Sequence, residues 1–364
     1  MCRSVPIVPK WHVATELAEG IHVPVSTPTD GDGGSFRRRG PRFTDRIVAE
    51  PTGDREWPAE PGRYRLVVSL ACPWAHRSII VRRLMGLEDV ISMAITDPLQ
   101  DERSWRFALD EDGVDPVLGY RYLEEAYLAR DPEEGTENGV SVPAIVEEST
   151  GLLVTNDYPQ ITVDLGIEWA KYQRPGAPSL YPPELREEID AVNEGVFHDV
   201  NNGVYKTGFA TTQNAYETAY TALFARLDEL DERLANQRYL VGDHITEADI
   251  RLFTTLARFD AVYHGHFKGN RQKLAEFEHL WPYARDLYQT PGFGDTVDFD
   301  HIKRHYYQVH TSINPTRIVP LGPEPSVWLE PHHREELGGS PFGPDGTPPE
   351  PLAGPLRPLP PLDM

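Results

Sequence analysis

The 364-residue sequence predicts a mixed α/β domain followed by an all-α domain. Three observations predict this arrangement. Strand-like and helix-like patterns alternate between residues 63 and 172, and a stretch rich in proline and glycine, residues 174–183, then interrupts them. Beyond that stretch the apolar residues recur only with the period of an α-helix. The length suits two domains, because a domain typically has about 100–200 residues.

The α/β domain, residues 63–172, is assigned from its hydrophobic patterns. The first strand, helix and strand should form a parallel βαβ unit, because such crossovers are almost always right-handed. The glycine-containing stretch 147–151 has the length of a hairpin turn. The predicted elements are a strand at 64–69, a helix at 75–85, a strand at 90–95, a helix at 118–128, strands at 142–146 and 152–155, and a helix at 158–169. This order is typical of a thioredoxin-like domain.

The all-α domain is predicted over residues 183–323, and irregular segments flank the two domains. We interpret residues 1–62 as a partly irregular N-terminal extension. Residues 324–364, rich in proline and glycine, should be largely disordered or form an extended arm. Helical periodicity covers residues 183–200, 212–236 and 247–262, with shorter segments near 274–277 and 281–288.

Composition excludes several classes of function. The formal net charge of -22 argues against a nucleic-acid partner, which requires clustered positive charge, and we interpret the run Arg37–Arg39 as a solvated loop or a few salt bridges. No stretch approaches the roughly 20 apolar residues needed to span a bilayer, and no signal-like segment begins the sequence. Two cysteines, Cys2 and Cys72, suit a reducing compartment. We therefore expect a cytoplasmic protein without membrane insertion.

Cys72 is the candidate nucleophile. It lies where a predicted strand meets a predicted helix, with Pro73 in the first helical position. The unpaired N–H groups and positive dipole end of a helix favour a thiolate, so the sequence predicts a lowered pKa for the Cys72 thiol. Ala75 occupies the fourth position of a would-be C-x-x-C pair, so turnover requires an external thiol. The alternative is a buried, inert cysteine.

Two further sites carry clear local signals. Thr246 and Asp249 have the spacing of a capping box at the start of a helix, for which we expect a structural role only. The Val142–Pro143 peptide precedes a strand and could be cis, turning backbone groups toward a ligand. An ordinary trans peptide is favoured on the dipeptide alone.

Separated motifs occur along both predicted domains: residues 70–77 (LACPWAHR), 201–210 (NNGVYKTGFA), 246–252 (TEADIRL), 258–260 (RFD), 266–268 (HFK), 302–307 (IKRHYY) and 313–315 (INP). By these motifs the sequence, between about residues 36 and 323, resembles the glutathionyl-hydroquinone reductases, the Xi class of glutathione transferases. The resemblance implies a helical domain of the glutathione-transferase type, a homodimer and no metal. It also implies that Cys72 attacks the sulfur of a thiol–hydroquinone conjugate, releasing the hydroquinone and leaving a mixed disulfide that a second thiol resolves.

The resemblance also assigns residues around Cys72. Tyr205, together with Tyr306 or Tyr307, would line the quinone pocket, where a phenol can donate a proton or a hydrogen bond to a developing phenolate or carbanion. Trp105 would contact the thiol. The backbone at Val142, ahead of Pro143, would pair with the cysteinyl part of the thiol.

The thiol itself stays open between glutathione and mycothiol. Where the family has a Glu-Ser pair that holds the γ-glutamyl end of glutathione, this chain has Asp157 and Tyr158, followed by Pro159, which lacks an N–H donor. Arginine outnumbers lysine, which suggests a GC-rich bacterial genome, and mycothiol, the sugar-based thiol of actinobacteria, has no γ-glutamyl group to hold. Two other functions remain: an ordinary transferase that conjugates a thiol to electrophiles, and a non-enzymatic protein that binds aromatic ligands.

Overall fold

Two small strand pairs precede the α/β domain in the computed structural model, which describes residues 29–362. Strands β1 (Thr29–Gly31) and β2 (Ser35–Arg37) are antiparallel, whereas β3 (Arg46–Val48) and β4 (Glu56–Pro58) are parallel. Apolar residues of these strands, including Phe36 and Ile47, are buried in the main hydrophobic core. This part of the extension therefore packs against the domains. Cys2 lies outside the described residues.

A four-stranded sheet with helices forms the α/β domain. The strand order is β6-β5-β7-β8, with β5 parallel to β6 and antiparallel to β7, and β7 antiparallel to β8. The elements are β5 (Tyr64–Val68), α1 (Pro73–Met85), β6 (Ser92–Ile95), α2 (Glu124–Arg130), β7 (Ala144–Glu147), β8 (Leu153–Thr155) and α3 (Tyr158–Ile167). The predicted thioredoxin-like order is confirmed.

One predicted helix of this domain is only half present. The pattern predicts a helix over 118–128, but α2 begins at Glu124. Tyr122 instead forms an isolated bridge with Arg106, and the N–H of Leu123 donates to the carbonyl of Trp105 at 2.9 Å. The backbone that would form the first helical turn is thus paired with the loop that carries Trp105.

Helices alone form the second domain, as the periodicity predicts. Two π-helical segments, Val196–Asn201 and Phe259–Tyr263, continue α4 and α7, and the shorter predicted segment near 274–277 is a single 3-10 turn. Helices α5 and α9 were not among the predicted elements. The helices are α4 (Arg186–Gly195), α5 (Gly203–Gly208), α6 (Gln213–Arg233), α7 (Glu247–Arg258), α8 (Leu280–Gln289) and α9 (Phe299–Val309). None of the helices in residues 29–362 is long and apolar enough to cross a membrane.

The C-terminal segment is an extended arm held against both domains. Trp328 is only 4% exposed and packs against Trp281, Tyr288 and Phe299. Farther along, the N–H of Thr347 donates to the carbonyl of Gly176 at 2.9 Å, in the segment that links the domains. Of the two predicted states, disordered or extended, the structure has the extended one through residue 362.

The two local signals have different outcomes. The capping box of Thr246 and Asp249 is present at the start of α7, as predicted. The Val142–Pro143 peptide is cis, so the trans form favoured by the dipeptide is wrong. Local sequence determines a capping box, whereas the isomer of a prolyl bond depends on the tertiary contacts around it.

We predict that Asp249→Ala lowers the free energy of unfolding by about 3 kcal/mol or more, because buried donors would lose their acceptor. The carboxylate accepts from the N–H groups of Leu240 and Thr246 and from the Tyr283 hydroxyl, at 2.8–2.9 Å. Urea unfolding of the variant measures the loss. The control is Asp298→Ala, which removes the partly exposed cap of α9 and should cost about 1 kcal/mol. Equal losses in the two variants would contradict the role assigned to Asp249.

Candidate active site

Cys72 is the residue immediately before α1, with extended backbone angles and Pro73 in the first helical position, as predicted. Its side chain is partly exposed, and its Sγ lies 3.5 Å from the carbonyl oxygen of Val142. The sulfur lines a cavity of about 350 Å³. A nucleophile in this position can meet a ligand of small-molecule size.

The cavity wall is built from both domains and from the N-terminal extension. The lining residues are Phe36, Arg37, Arg38, Arg39, Gly40, Pro41, Cys72, Pro73, Trp74, Gln100, Glu102, Arg103, Ser104, Trp105, Glu124, Thr136, Asn138, Gly139, Val140, Ser141, Val142, Asn156, Tyr158, Tyr205, Phe209, His305, Tyr306 and His310. A second cavity of about 400 Å³ shares Phe36 with this one and lies against α6. Cys72 lines only the first, which we therefore take as the candidate active site.

A buried arginine holds the turn that carries Cys72. Arg258, at the end of α7, donates from Nε to the carbonyl of Ala71 at 2.8 Å and from Nη2 to that of Leu70 at 2.9 Å. Its side chain is fully buried. Sequence reasoning assigned no role to Arg258, because these two carbonyl partners are nearly 190 positions away along the chain. Its place in the motif at 258–260 was the available signal.

The predicted direction of the Cys72 pKa is wrong. Burial raises the pKa of the Cys72 thiol. Hydrogen bonds from the N–H groups of Ala75 and Trp74, and the positive charges of Arg258 and Arg38, lower this pKa, but their effect is smaller than that of burial. The helix start does favour the thiolate, as the sequence indicates. Desolvation by the surrounding protein depends on tertiary packing and is larger.

Three tyrosine hydroxyls form a chain beside the cavity. The hydroxyl of Tyr306 lies 2.6 Å from that of Tyr205 and 2.9 Å from that of Tyr263. Burial raises the pKa of all three phenols, so they stay neutral and can donate protons. Tyr263 was missed by sequence reasoning, because it lies one position beyond the predicted helix 247–262 and between the motifs 258–260 and 266–268.

The structure separates Tyr306 from Tyr307. Tyr306 lines the cavity, whereas Tyr307 is outside its wall and donates its hydroxyl to the carbonyl of Ala261 at 3.1 Å. Successive helical residues point in different directions, and here the Tyr306 side chain lines the cavity whereas that of Tyr307 contacts Ala261. Of the two alternatives, Tyr306 rather than Tyr307 lines the cavity together with Tyr205.

Some of the residues predicted to contact the thiol line the cavity, and others do not. Trp105 lines the cavity, and its ring stacks on that of His305 with centroids 5.2 Å apart. Val142 and Tyr158 also line the cavity, and the Tyr158 ring lies 4.7 Å from that of Trp74. Pro143 and Asp157 are outside the wall. Burial raises the pKa of the Asp157 carboxyl, which directly precedes α3.

The Arg37–Arg39 run lines the cavity. Arg37 and Arg39 are exposed, as the interpretation of a solvated loop expects, whereas Arg38 is half-buried. Arg38 lies between two rings, with its guanidinium carbon 4.5 Å from the centroid of Trp74 and 4.5 Å from that of Tyr205. A run of three arginines in an acidic chain carries no signal of this position, which depends on how the extension packs.

Known proteins resemble the chain over most of its length. The family model of the glutathione S-transferase C-terminal domain matches residues 213–290. The glutathionyl-hydroquinone reductase YqjG of Escherichia coli is 40% identical, over 88% of this chain and 98% of that protein. A glutathione transferase structure from Gordonia bronchialis is 62% identical, with a TM-score of 0.83 over 85% of this chain and 95% of that one. Glutathione transferase Xi of Phanerochaete chrysosporium is 41% identical, with a TM-score of 0.76 over 84% and 98%.

The thioredoxin-like and helical domains, with a cysteine at the start of α1, define a glutathione transferase. The near full-length similarity to YqjG is more specific. The chain belongs to the glutathionyl-hydroquinone reductases, the Xi class of glutathione transferases.

We predict that Cys72 of the unliganded protein ionises at a higher pH than an ordinary cysteine. Its iodoacetamide alkylation should keep rising, about tenfold per pH unit, beyond the pH where a short cysteine peptide with a pKa near 8.5 levels off. The rate is followed by mass spectrometry in a Cys2→Ser background, so that a single thiol is labelled. A plateau at lower pH than that of the peptide would show that the helix start outweighs desolvation.

Proposed function

We propose that the protein removes a thiol from thiol–hydroquinone conjugates. Cys72 thiolate attacks the conjugate's sulfur, an S–S bond forms, and the C–S bond breaks. The sulfur is oxidised and the ring carbon reduced, because the electron pair of the C–S bond passes to the ring. The hydroquinone takes up a proton, and a second thiol then attacks the mixed disulfide, releasing a disulfide and restoring Cys72. The cavity shared by Cys72, Tyr205 and Tyr306 is the observation that carries this proposal.

The tyrosine pair supports the proton step. Tyr205 and Tyr306 stay neutral because burial raises the pKa of both phenols, and one hydroxyl hydrogen-bonds to the other at 2.6 Å. A neutral phenol can protonate a departing hydroquinone anion, whereas a carboxylate in the same place would repel it. Within this proposal the thioredoxin-like unit, 63–172, holds the thiol and the helical unit, 183–323, holds the aromatic ring.

The two alternatives fit the site less well. A transferase that conjugates thiols to electrophiles needs a group that orients the thiol as a nucleophile, and a cysteine in that place instead favours a mixed disulfide. A protein that only sequesters aromatic ligands needs no sulfur in its pocket. Cys72 is free and partly exposed, which supports the reductase.

Within this proposal the thiol is mycothiol rather than glutathione. The start of α3, where a γ-glutamyl carboxylate would bind helix N–H groups, has few free donors. The N–H of Tyr158 donates to the carbonyl of Asn156 at 2.9 Å, Pro159 has none, and that of Gln160 donates to the carbonyl of Asp157 at 3.0 Å. A thiol without a γ-glutamyl group does not require these donors. We also propose that the enzyme acts in the cytoplasm, where a small thiol is kept reduced. We propose that it acts there as a homodimer.

We predict that Cys72→Ser reduces turnover of a menadiol–thiol conjugate to background, because a serine hydroxyl cannot form the mixed disulfide. Menadiol release is measured by chromatography, and mass spectrometry should detect a one-thiol adduct on the wild-type protein only. Cys2→Ser is the matched control and should keep wild-type turnover. Undiminished release of menadiol by the Cys72→Ser variant would refute the mechanism.

We predict that the mycothiol conjugate of menadiol is turned over with a kcat/KM at least about tenfold above that of the glutathione conjugate, a difference of about 1.4 kcal/mol. Steady-state kinetics with each conjugate and its matching free thiol measure the ratio. Tyr158→Ser places a short aliphatic hydroxyl at the start of α3 and should shift the ratio toward glutathione. A wild-type preference for the glutathione conjugate would contradict this choice of thiol.

A further inference from the structure

The guanidinium of Arg38 is held between the two domains. It lies 4.5 Å from the ring centroid of Trp74 in α1 and 4.5 Å from that of Tyr205 in α5. Its Nε donates to Oδ1 of Asn202 at 2.6 Å. Two ring contacts and a hydrogen bond leave the guanidinium plane little freedom, so its remaining N–H groups are pre-oriented.

Arg38 also has unused hydrogen-bonding capacity at the cavity. Its Nη2 is buried and has no acceptor within the described residues, and the same is true of Trp74 Nε1. A buried donor without a partner costs about 1–3 kcal/mol, so such groups require an explanation. Both residues line the cavity that contains Cys72. An acceptor supplied by a ligand in that cavity would satisfy them.

The charge of Arg38 has no direct counter-ion in the part of the chain that the structure describes. Its hydrogen-bond partner, Asn202, is a neutral amide. Arg42, four residues on, contrasts with it and forms ion pairs with Asp131, Glu134 and Glu137 at 2.8–2.9 Å. A cation that is partly buried and not neutralised by a carboxylate attracts a negatively charged ligand atom.

We propose that Arg38 is a catalytic residue that donates from Nη2 to the hydroquinone oxygen as this oxygen becomes negatively charged. The inference rests on the proposed function. When Cys72 thiolate bonds to the sulfur of the keto tautomer of a conjugate, the C–S electron pair becomes a ring double bond. The carbonyl electron pair moves onto oxygen, and the resulting anion then takes a proton from the tyrosine pair. The pair regains a proton when the second thiol ionises to attack the mixed disulfide. Arg38 stabilises charge that is absent from the ground state, which accelerates the step.

The position of Arg38 favours the aromatic leaving group over a carboxylate of the thiol. Arg38 covers the ring of Tyr205, which stacks with Phe36 and Phe209 and bonds through its hydroxyl to Tyr306. These are the aromatic groups that suit a quinone ring. Its positive charge also acts to lower the pKa of the Cys72 thiol and the Tyr205 phenol, which places it within electrostatic reach of both reacting groups.

The test uses Arg38→Met, which keeps an apolar stem, and Arg38→Lys, which keeps the charge without the planar donor array. The matched control is Arg186→Met, because Arg186 also covers a tyrosine ring, that of Tyr181, but outside the cavity. Conjugates of one thiol with hydroquinones of different acidity are compared with bis(2-hydroxyethyl) disulfide, whose reduction develops no oxyanion. All rates are compared at equal Cys72 thiolate fraction, taken from the pH dependence of iodoacetamide alkylation.

We expect Arg38→Met to lower kcat for the conjugates about 100-fold, the loss typical of removing one oxyanion donor. The loss should be largest for the least acidic hydroquinones. Disulfide reduction at equal thiolate fraction should be nearly unchanged. Arg38→Lys should be intermediate and Arg186→Met should match wild type.

Two outcomes would contradict the role of Arg38 and leave the proposed function intact. Equal losses of rate on the conjugates and on the disulfide would show that Arg38 acts on the sulfur. A rise in KM for the free thiol, with kcat and the leaving-group dependence unchanged, would show that Arg38 instead binds a carboxylate of the thiol. If the wild-type protein neither releases hydroquinone nor forms a Cys72 adduct, the proposed function fails, and this inference fails with it.

Discussion

The buried guanidinium of Arg258 is the contact on which the geometry of the site depends. It belongs to the helical domain, yet it holds the carbonyl groups of Leu70 and Ala71 in the turn before Cys72. Its Nη1 donates to the carbonyl of Thr254 and to Nδ1 of His76, whose pKa is lowered by burial and by the arginine charge. The imidazole is therefore neutral and protonated on Nε2. A buried cation requires such a full set of acceptors, and here the docking of the two domains supplies all of them except the Thr254 carbonyl.

The environment of the sulfur follows from this docking. Desolvation opposes the thiolate, whereas two helix N–H groups and the cations Arg258 and Arg38 stabilise it. Interactions in a dry site are stronger than in water, so charge that forms during the reaction meets donors already in place. The tyrosine chain supplies neutral donors on the same side. The thiol and the phenols are thus neutral before the reaction, and nearby N–H groups and cations stabilise the charge that the reaction creates.

Segments outside the two domains complete the site and brace it. The N-terminal extension brings Phe36 and Arg38 into the cavity wall. The C-terminal arm reaches α9, where the carbonyl of Arg357 accepts from His301 at 2.7 Å, and Asp110 then accepts from the Arg357 side chain at 2.7 Å. This contact joins the helix of Tyr306 to the loop that carries Trp105. Hydrogen bonds of this kind fix the relative positions of the elements that carry site residues, even where those elements share no hydrophobic core.

The sequence by itself determined what depends on near neighbours: the order of strands and helices in the α/β domain, the start of α1 at Pro73 behind Cys72, and the capping box of α7. Hydrophobic period, an N1 proline and a Thr-to-Asp spacing of three act over a few residues, so local pattern is sufficient for them. Only the tertiary structure decided the rest, including Tyr306 over Tyr307, the addition of Tyr263 and Arg258, the position of Arg38 and the raised pKa of Cys72. Each of these depends on groups far apart along the chain, whose burial and distance exist only once the domains have packed together.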